Sequence, residues 1–237
     1  MAWVGKSTLR KEGEKKLRGD AKYIDDITLP NMIYGVTVRS PIARGVLKGI
    51  EYLPGVNWSE IVKVTAEDIP GQNYIALIEK DQPYLVEKNI NHPEEPILLL
   101  AHPNKHLLEK AKTLVKFNID PLPAIFTMKE SFAKKEIIWK DDNTFKSYAI
   151  DRGDVQAGFK NAKFVFEGTY ETGAQEQLYI ETNGVIAIAN ETAGVTVWGS
   201  LQCPYYVHKA LMPLFNFPPE KIRVVQAETG GGFGGKE

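Results

Sequence analysis

One cysteine, Cys203, occurs in 237 residues. An internal disulfide is therefore excluded, as is a zinc or iron–sulfur site built on Cys-x-x-Cys pairs. A reducing, cytoplasmic location is expected. An excess of one charge is also missing: 29 Lys and Arg stand against 30 Asp and Glu, a net charge of −1. The two signs are interspersed, so neither a strongly basic face nor a nucleic-acid partner is expected. Long apolar runs are absent. No window reaches the roughly 18 consecutive apolar residues of a membrane helix, and no membrane partner is expected. The opening MAWVGKSTLRKEGEKKLRGD has no apolar core and does not read as a secretory leader. Internal repeats and low-complexity runs are lacking too.

What is present is an ordinary globular composition, 43% hydrophobic and 25% charged, enough for one large or two small domains. Residues 1 to about 20 read as a polar lead. In YGVTVR, Tyr34, Val36 and Val38 alternate with Gly35, Thr37 and Arg39, a strand pattern that Pro41 ends. IVKVTAEDIPG reads as a short strand and a turn, and residues 71–96 as loop with short strands. PILLLA is a buried-strand candidate. Leu107, Leu108, Ala111, Leu114 and Val115 form a helical stripe after Pro103. KFNIDPLPA reads as a strand stopped by Pro121 and Pro123. Residues 127–150 read as a linker. KFVFEGTYET reads as a strand with Phe164, Phe166 and Tyr170 on one face. GVIAIAN and GVTVWGS read as a hairpin, and a helix begins at Pro204. Pro213 inside that helix predicts an end or kink near Met212. IRVVQAE is the last strand.

That strand runs into ETGGGFGGKE, residues 228–237. Gly230, Gly232 and Gly235 fit G-x-G-x-x-G, and residues 230–236 fit G-x-x-x-x-G-K. A phosphate loop, however, needs Ser or Thr after the lysine, and Glu237 stands there. The dinucleotide fingerprint needs a following helix and an acid about twenty residues on. The general reading is a backbone anion nest or close approach to a ligand, with Phe233 beside a flat group. A tight glycine turn between strands is the competing reading. Gln175, Gln177, Tyr179 and Glu181 share the polar face of GAQEQLYIET, read as a strand edge lining a wet site or facing solvent. Gln202 falls at a strand-to-helix junction, where an amide can donate to an oxygen ligand. Two Arg-Gly-Asp tripeptides, the acidic pairs Asp25-Asp26 and Asp141-Asp142, and His102 with His106 read as ordinary turn and surface residues. The histidine spacing would suit zinc, but Pro103 lies between them and no third ligand is evident.

Taken in order, GDAKYIDDITLPNMIYGVTVRSP, DPLPAIF, GDVQAGF, GAQEQLYIET, SLQCPYYVHKAL and VVQAETGGGFGGKE form a pattern. It resembles the molybdenum-cofactor-binding large subunit of the xanthine dehydrogenase and aldehyde oxidase family, from about residue 15 to the end. The resemblance implies an α+β chain: a polar lead at 1–14, an α/β hammerhead domain at 15–126, and at 127–237 a linker and the start of a mixed α+β molybdopterin-binding domain. It implies a hydroxylase acting on a carbon of an aldehyde or a purine-like N-heterocycle, with water as oxygen source. The implied cofactor is a molybdenum–pterin group, with a cytosine dinucleotide as one form of its tail. Iron–sulfur clusters and FAD on partner subunits would take the electrons. Gln202, Gly232, Phe233 and Gly234 match cofactor-binding positions, and Glu237 matches a substrate-contacting one. The metal's sulfur ligands would come from the pterin. The general-base glutamate belongs to a C-terminal part beyond this chain, so the chain is expected to be inactive without a C-terminal half or second molybdenum subunit. A non-catalytic hammerhead scaffold or a truncated, inactive fragment is the alternative. Two local departures stand out: HPEEP at 92–96, where relatives tend to place glycine before Glu-Pro, and Pro213.

Overall fold

A computed structural model describes residues 3–76 and 79–237. Two compact units are present, residues 123–176 and the remainder of the chain. The first helix of the larger unit, α1 (Gly13–Arg18), is polar and buries none of its residues. A left-handed Gly19 caps it, and the Glu14–Arg18 pair supports its one turn and a half. Three sheets of this unit lie within residues 34–121. Strands β1 (Tyr34–Arg39), β7 (Pro96–His102) and β3 (Val62–Val64) make one antiparallel sheet with β7 central. Strands β6 (Asn89–Ile90), β2 (Gly45–Tyr52) and β8 (Val115–Pro121) make the second. Strands β4 (Ile75–Ala76) and β5 (Lys80–Gln82) pair alone.

Strand β7 is central and mostly covered on both faces, with Ile97 buried as well. Leu98 and Leu100 share a face and are fully buried, whereas Leu99 is partly exposed on the other. Helix α2 (Lys105–Thr113) adds Leu108 and Ala111 to the same core. Its N-cap is Asn104, whose Oδ1 accepts the Leu107 N–H at 3.1 Å. His102 Nδ1 accepts the Asn104 N–H at 2.9 Å, so this histidine serves the helix start. The HPEEP turn now has a physical account. Glu94 sits in the left-handed region with φ of 61°, where glycine is the unstrained residue. The turn is held in place by Ser40 N–H to Glu95 O at 2.8 Å and by Arg39 to Glu94 O at 3.0 Å.

The same unit carries a mixed sheet. Strands β9 (Val185–Asn190) and β10 (Gly194–Gly199) form the expected hairpin, and β11 (Ile222–Gln226) pairs parallel to β10. Helix α5 (Pro204–Phe215) is the crossover between them. It does not stop at Met212, as its proline predicts, but runs on to Phe215 with Pro213 in the last turn. A proline there removes one N–H near an end whose carbonyls need outside donors anyway. Gln72 N–H donates to Pro213 O at 2.8 Å, and the Tyr84 hydroxyl to Ala210 O at 2.8 Å. Burial pushes the Tyr84 phenol up to about 12, so it remains a donor at any working pH.

The smaller unit holds helices α3 (Met128–Phe132) and α4 (Val155–Asn161), each capped by a side chain, Thr127 and Asp154. Residues 163–172 form no strand, which corrects the reading of KFVFEGTYET. Alternation alone does not make a strand; a ladder partner must take the backbone groups, and none pairs with it among the described residues. Phe164, Phe166 and Tyr170 are exposed.

Candidate functional site

The glycine-rich turn follows β11 and folds back against the strand-to-helix junction that carries Gln202. Gln202 is tied to it three times. Its backbone N–H donates to Lys236 O at 2.7 Å. Its side-chain Oε1 accepts the Gly234 N–H at 2.9 Å and the Lys236 N–H at 3.3 Å. Two donors on one end of the amide identify that end as the oxygen. Nε2 is left as a donor without a partner among the described residues, on an exposed side chain.

The glycines fit the protein's own side chains as closely as they could fit a ligand. A Cβ at Gly232 would stand 2.7 Å from Gln202 Cδ. At Gly230 it would meet Glu181 Cβ at 2.6 Å, and at Gly235 Tyr179 Cε1 at 2.6 Å. The site of Gly234 differs. No atom lies within 4 Å of its Cβ position, and its φ of 91° follows a left-handed Phe233 at 50°. The Gly232 and Phe233 N–H groups have no partner among the described residues. At the exposed Phe233 the turn therefore offers a backbone donor beside an outward amide donor, the chemistry that holds oxygen anions, whereas Gly232 itself is buried beneath Gln202. Such a donor set fits the oxygen ligands of a molybdenum–pterin group. Phe233 is 76% exposed at the tip, and Glu237 is exposed beside it.

GAQEQLYIET is not a strand, because Leu178 turns left-handed at φ 51° and breaks the alternation. Tyr179 and Glu181 nevertheless bond to the glycine turn, Tyr179 donating its hydroxyl to Gly235 O at 3.3 Å and Glu181 accepting the Gly230 N–H, and a Cβ at Gly235 would stand 3.3 Å from Gln177 Cδ. Behind the turn lies a cluster that sequence reasoning did not assemble. Glu181 Oε2 accepts from Ser200 Oγ at 2.6 Å, Gly230 N at 2.6 Å and Lys236 Nζ at 3.1 Å. Lys236 Nζ also donates to Ser200 Oγ at 2.8 Å and lies 4.6 Å from the centre of the Tyr179 ring. The Lys236 side chain is wholly buried. Its ammonium is committed to Glu181 and Ser200, which argues against the phosphate-loop reading in addition to the Glu237 objection. The signal for this cluster in the sequence was a lysine directly after the glycine run. From outside, Lys16 of α1 pairs with Glu228 at 3.3 Å and donates to Thr229 O at 3.4 Å.

Burial alone would push the Glu181 carboxyl up, but the hydrogen bonds from Ser200, Gly230 and Lys236 hold it below its ordinary value. A depressed carboxylate contributes stability that is complete above its unfolded pKa, about pH 4, and is lost as pH falls through the folded value. Acid titration of the turn's amide resonances is expected to show loosening only below about pH 4 in the wild type. In Glu181→Gln that acid transition should disappear; if it persists unchanged, another group is responsible.

Comparison with known proteins identifies the domains in which this turn lies. Residues 18–123 match the aldehyde oxidase and xanthine dehydrogenase a/b hammerhead domain, and residues 139–237 match the molybdopterin cofactor-binding domain. A probable xanthine dehydrogenase component of Bacillus subtilis is 30% identical over 98% of this chain and 31% of its own length. The nicotinate dehydrogenase large molybdopterin subunit of Eubacterium barkeri is 30% identical over 98% of this chain and 55% of its own length. The chain thus spans from about a third to about half of these relatives. The aldehyde oxidoreductase of Desulfovibrio desulfuricans superposes over 97% of this chain and 27% of that one, with a TM-score of 0.84 at 23% identity. That likeness concerns the fold, a hammerhead followed by molybdopterin-domain structure. With both matches falling in order and together covering most of the sequence, the chain carries the a/b hammerhead domain of the aldehyde oxidase and xanthine dehydrogenase family followed by a molybdopterin cofactor-binding domain.

Proposed function

We propose that the chain forms the hammerhead and one wall of the cofactor site of a molybdenum hydroxylase. The enzyme would hydroxylate an aldehyde or purine-like N-heterocycle carbon with water as oxygen source. The observation that carries this is the orientation of Gln202. Its Oε1 is held by two backbone N–H groups, so its Nε2 is the end offered outward. In this reading Nε2 and the Phe233 N–H donate to oxygens on the cofactor, with Gly234 letting the turn come close. Such fixed donors need little reorganisation during reaction. Phe233 would flank the bound group, and Glu237 would accept from or steer the substrate. When bound, the molybdenum–pterin group, with a cytosine dinucleotide as one form of its tail, supplies the two-electron redox chemistry.

The remaining parts would lie outside these 237 residues. A C-terminal half or second molybdenum subunit would bring the general-base glutamate, and iron–sulfur and FAD subunits would carry electrons away. The domain limits follow the same reading: lead 1–14, hammerhead 15–126, and linker with cofactor-domain segment 127–237. A cytoplasmic location belongs to it as well.

The test is the composition and turnover of the assembled complex. Molybdenum and pterin should copurify in near-equal amounts. Gln202→Ala should lower turnover by about a hundredfold, as removal of one preorganised donor does elsewhere. An assembled complex without molybdenum or pterin sinks the proposal.

A further inference from the structure

The cluster behind the turn joins residues far apart in sequence, and Lys236 is its hub. The Lys236 backbone is bonded to Gln202 in both directions, N–H to Oε1 at 3.3 Å and O from N–H at 2.7 Å. Its side chain is anchored on the opposite side by Glu181 and Ser200 at 3.1 and 2.8 Å. A buried ammonium is an expensive choice for mere packing, since an apolar side chain of similar volume often serves stability as well or better. Here the ammonium donates to a carboxylate and a hydroxyl and lies 4.6 Å from the centre of the Tyr179 ring, within cation–π range.

We propose that Lys236 is a positioning residue which, through its buried contacts with Glu181 and Ser200, locks the Gln202 amide in one of its two flip states. Reversing the amide would set Nε2 against the Gly234 and Lys236 N–H groups, donor against donor. That orientation is barred only while both N–H groups stay where they are. The ion pair holds the 236 backbone; Gly230, bonded to Glu181 Oε2 at 2.6 Å, holds the other end of the turn. The cluster therefore decides which chemistry the turn presents, a donor rather than an acceptor. The value of that donor to a cofactor rests on the function proposed above; the lock itself does not.

The test uses the chain without cofactor. In Lys236→Met, the N–H groups at positions 234 and 236 should exchange with solvent at least about tenfold faster, as loss of a charged hydrogen bond predicts. Amides of Val197 and Val224 in the sheet should keep their rates. The Gln202 side-chain NH2 resonances should move from one fixed environment to an averaged one. In Lys236→Met with Glu181→Gln, removal of the unpaired buried carboxylate should restore overall stability without restoring protection at 234 and 236. Ser200→Ala keeps the ion pair and should speed exchange at the turn by about threefold, which decides the matter if the lysine variant does not fold. Unchanged turn exchange, or an equal rise at Val197 and Val224, overturns the lock. Lack of molybdenum in the assembled complex would instead overturn the proposed function and leave the exchange result standing.

Discussion

Gly194→Ala is expected to destabilise the mixed sheet by about 3 kcal/mol, the sum of left-handed strain and overpacking against a fixed backbone. Gly194 has φ of 89°, and an added Cβ would overlap the Lys221 carbonyl, standing 2.7 Å from its carbon and 2.8 Å from its Cβ. The obstacle is main chain at the entry to β11, so neither side can yield cheaply. Gly194→Asn separates the two causes, because asparagine tolerates the left-handed region but carries the same Cβ. It should be nearly as harmful. Urea unfolding followed at Trp198, with the other tryptophans changed to phenylalanine, reports on this sheet. A midpoint for Gly194→Ala equal to that of the parent would show that the hairpin and β11 are not packed as described.

Gly232→Ala should act in the opposite sense, with a small effect on stability and a large one on function. The atoms that a Cβ would meet belong to the end of the Gln202 side chain, Cδ at 2.7 Å and Cγ at 3.0 Å. That side chain is exposed and can swing aside, so the expected stability change is below about 1 kcal/mol. Once it swings, Oε1 loses both N–H donors and the fixed amide is gone. Turnover of the assembled enzyme should then fall about as far as in Gln202→Ala, roughly a hundredfold. A combined Gly232→Ala and Gln202→Ala variant should be no worse than either alone, because both remove one device. Wild-type turnover in Gly232→Ala would mean that this close approach has no functional role.

Much of the fold is legible in the sequence, and the exceptions have physical causes. Strands with alternating or continuous apolar residues, β1, β7, β8 and the β9–β10 hairpin, are readable because local pattern and tertiary role agree. The eight-residue β2 is not. GVLKGIEY carries two glycines and a lysine, and its pairing with β8 supplies what its own pattern lacks. KFVFEGTYET fails in the opposite way, with a clean pattern and no partner. At the site, Gln202 and the glycine turn are visible as a motif. The cluster of Glu181, Ser200 and Lys236 is not, because it joins three segments 19 to 55 residues apart. Spacing on that scale has no local signature. The glycine missing from HPEEP is legible as a departure, and the left-handed Glu94 says what it costs.

The parallel pairing of β10 with β11 also fixes an order of events. A hairpin such as β9–β10 closes over a four-residue separation between paired ends, Asn190 opposite Gly194, and forms on the microsecond scale. A parallel pair cannot close that way; α5 must first carry the chain from Gly199 back to Ile222. Only then do Gly230 and Lys236 come within reach of Glu181 and Ser200. The turn that carries the candidate site is therefore expected to be the last part of this sheet to assemble on folding. Refolding followed by pulse labelling should protect Val197 before Gly234, and a newly made chain would pass through a state that has its scaffold and not yet its cradle.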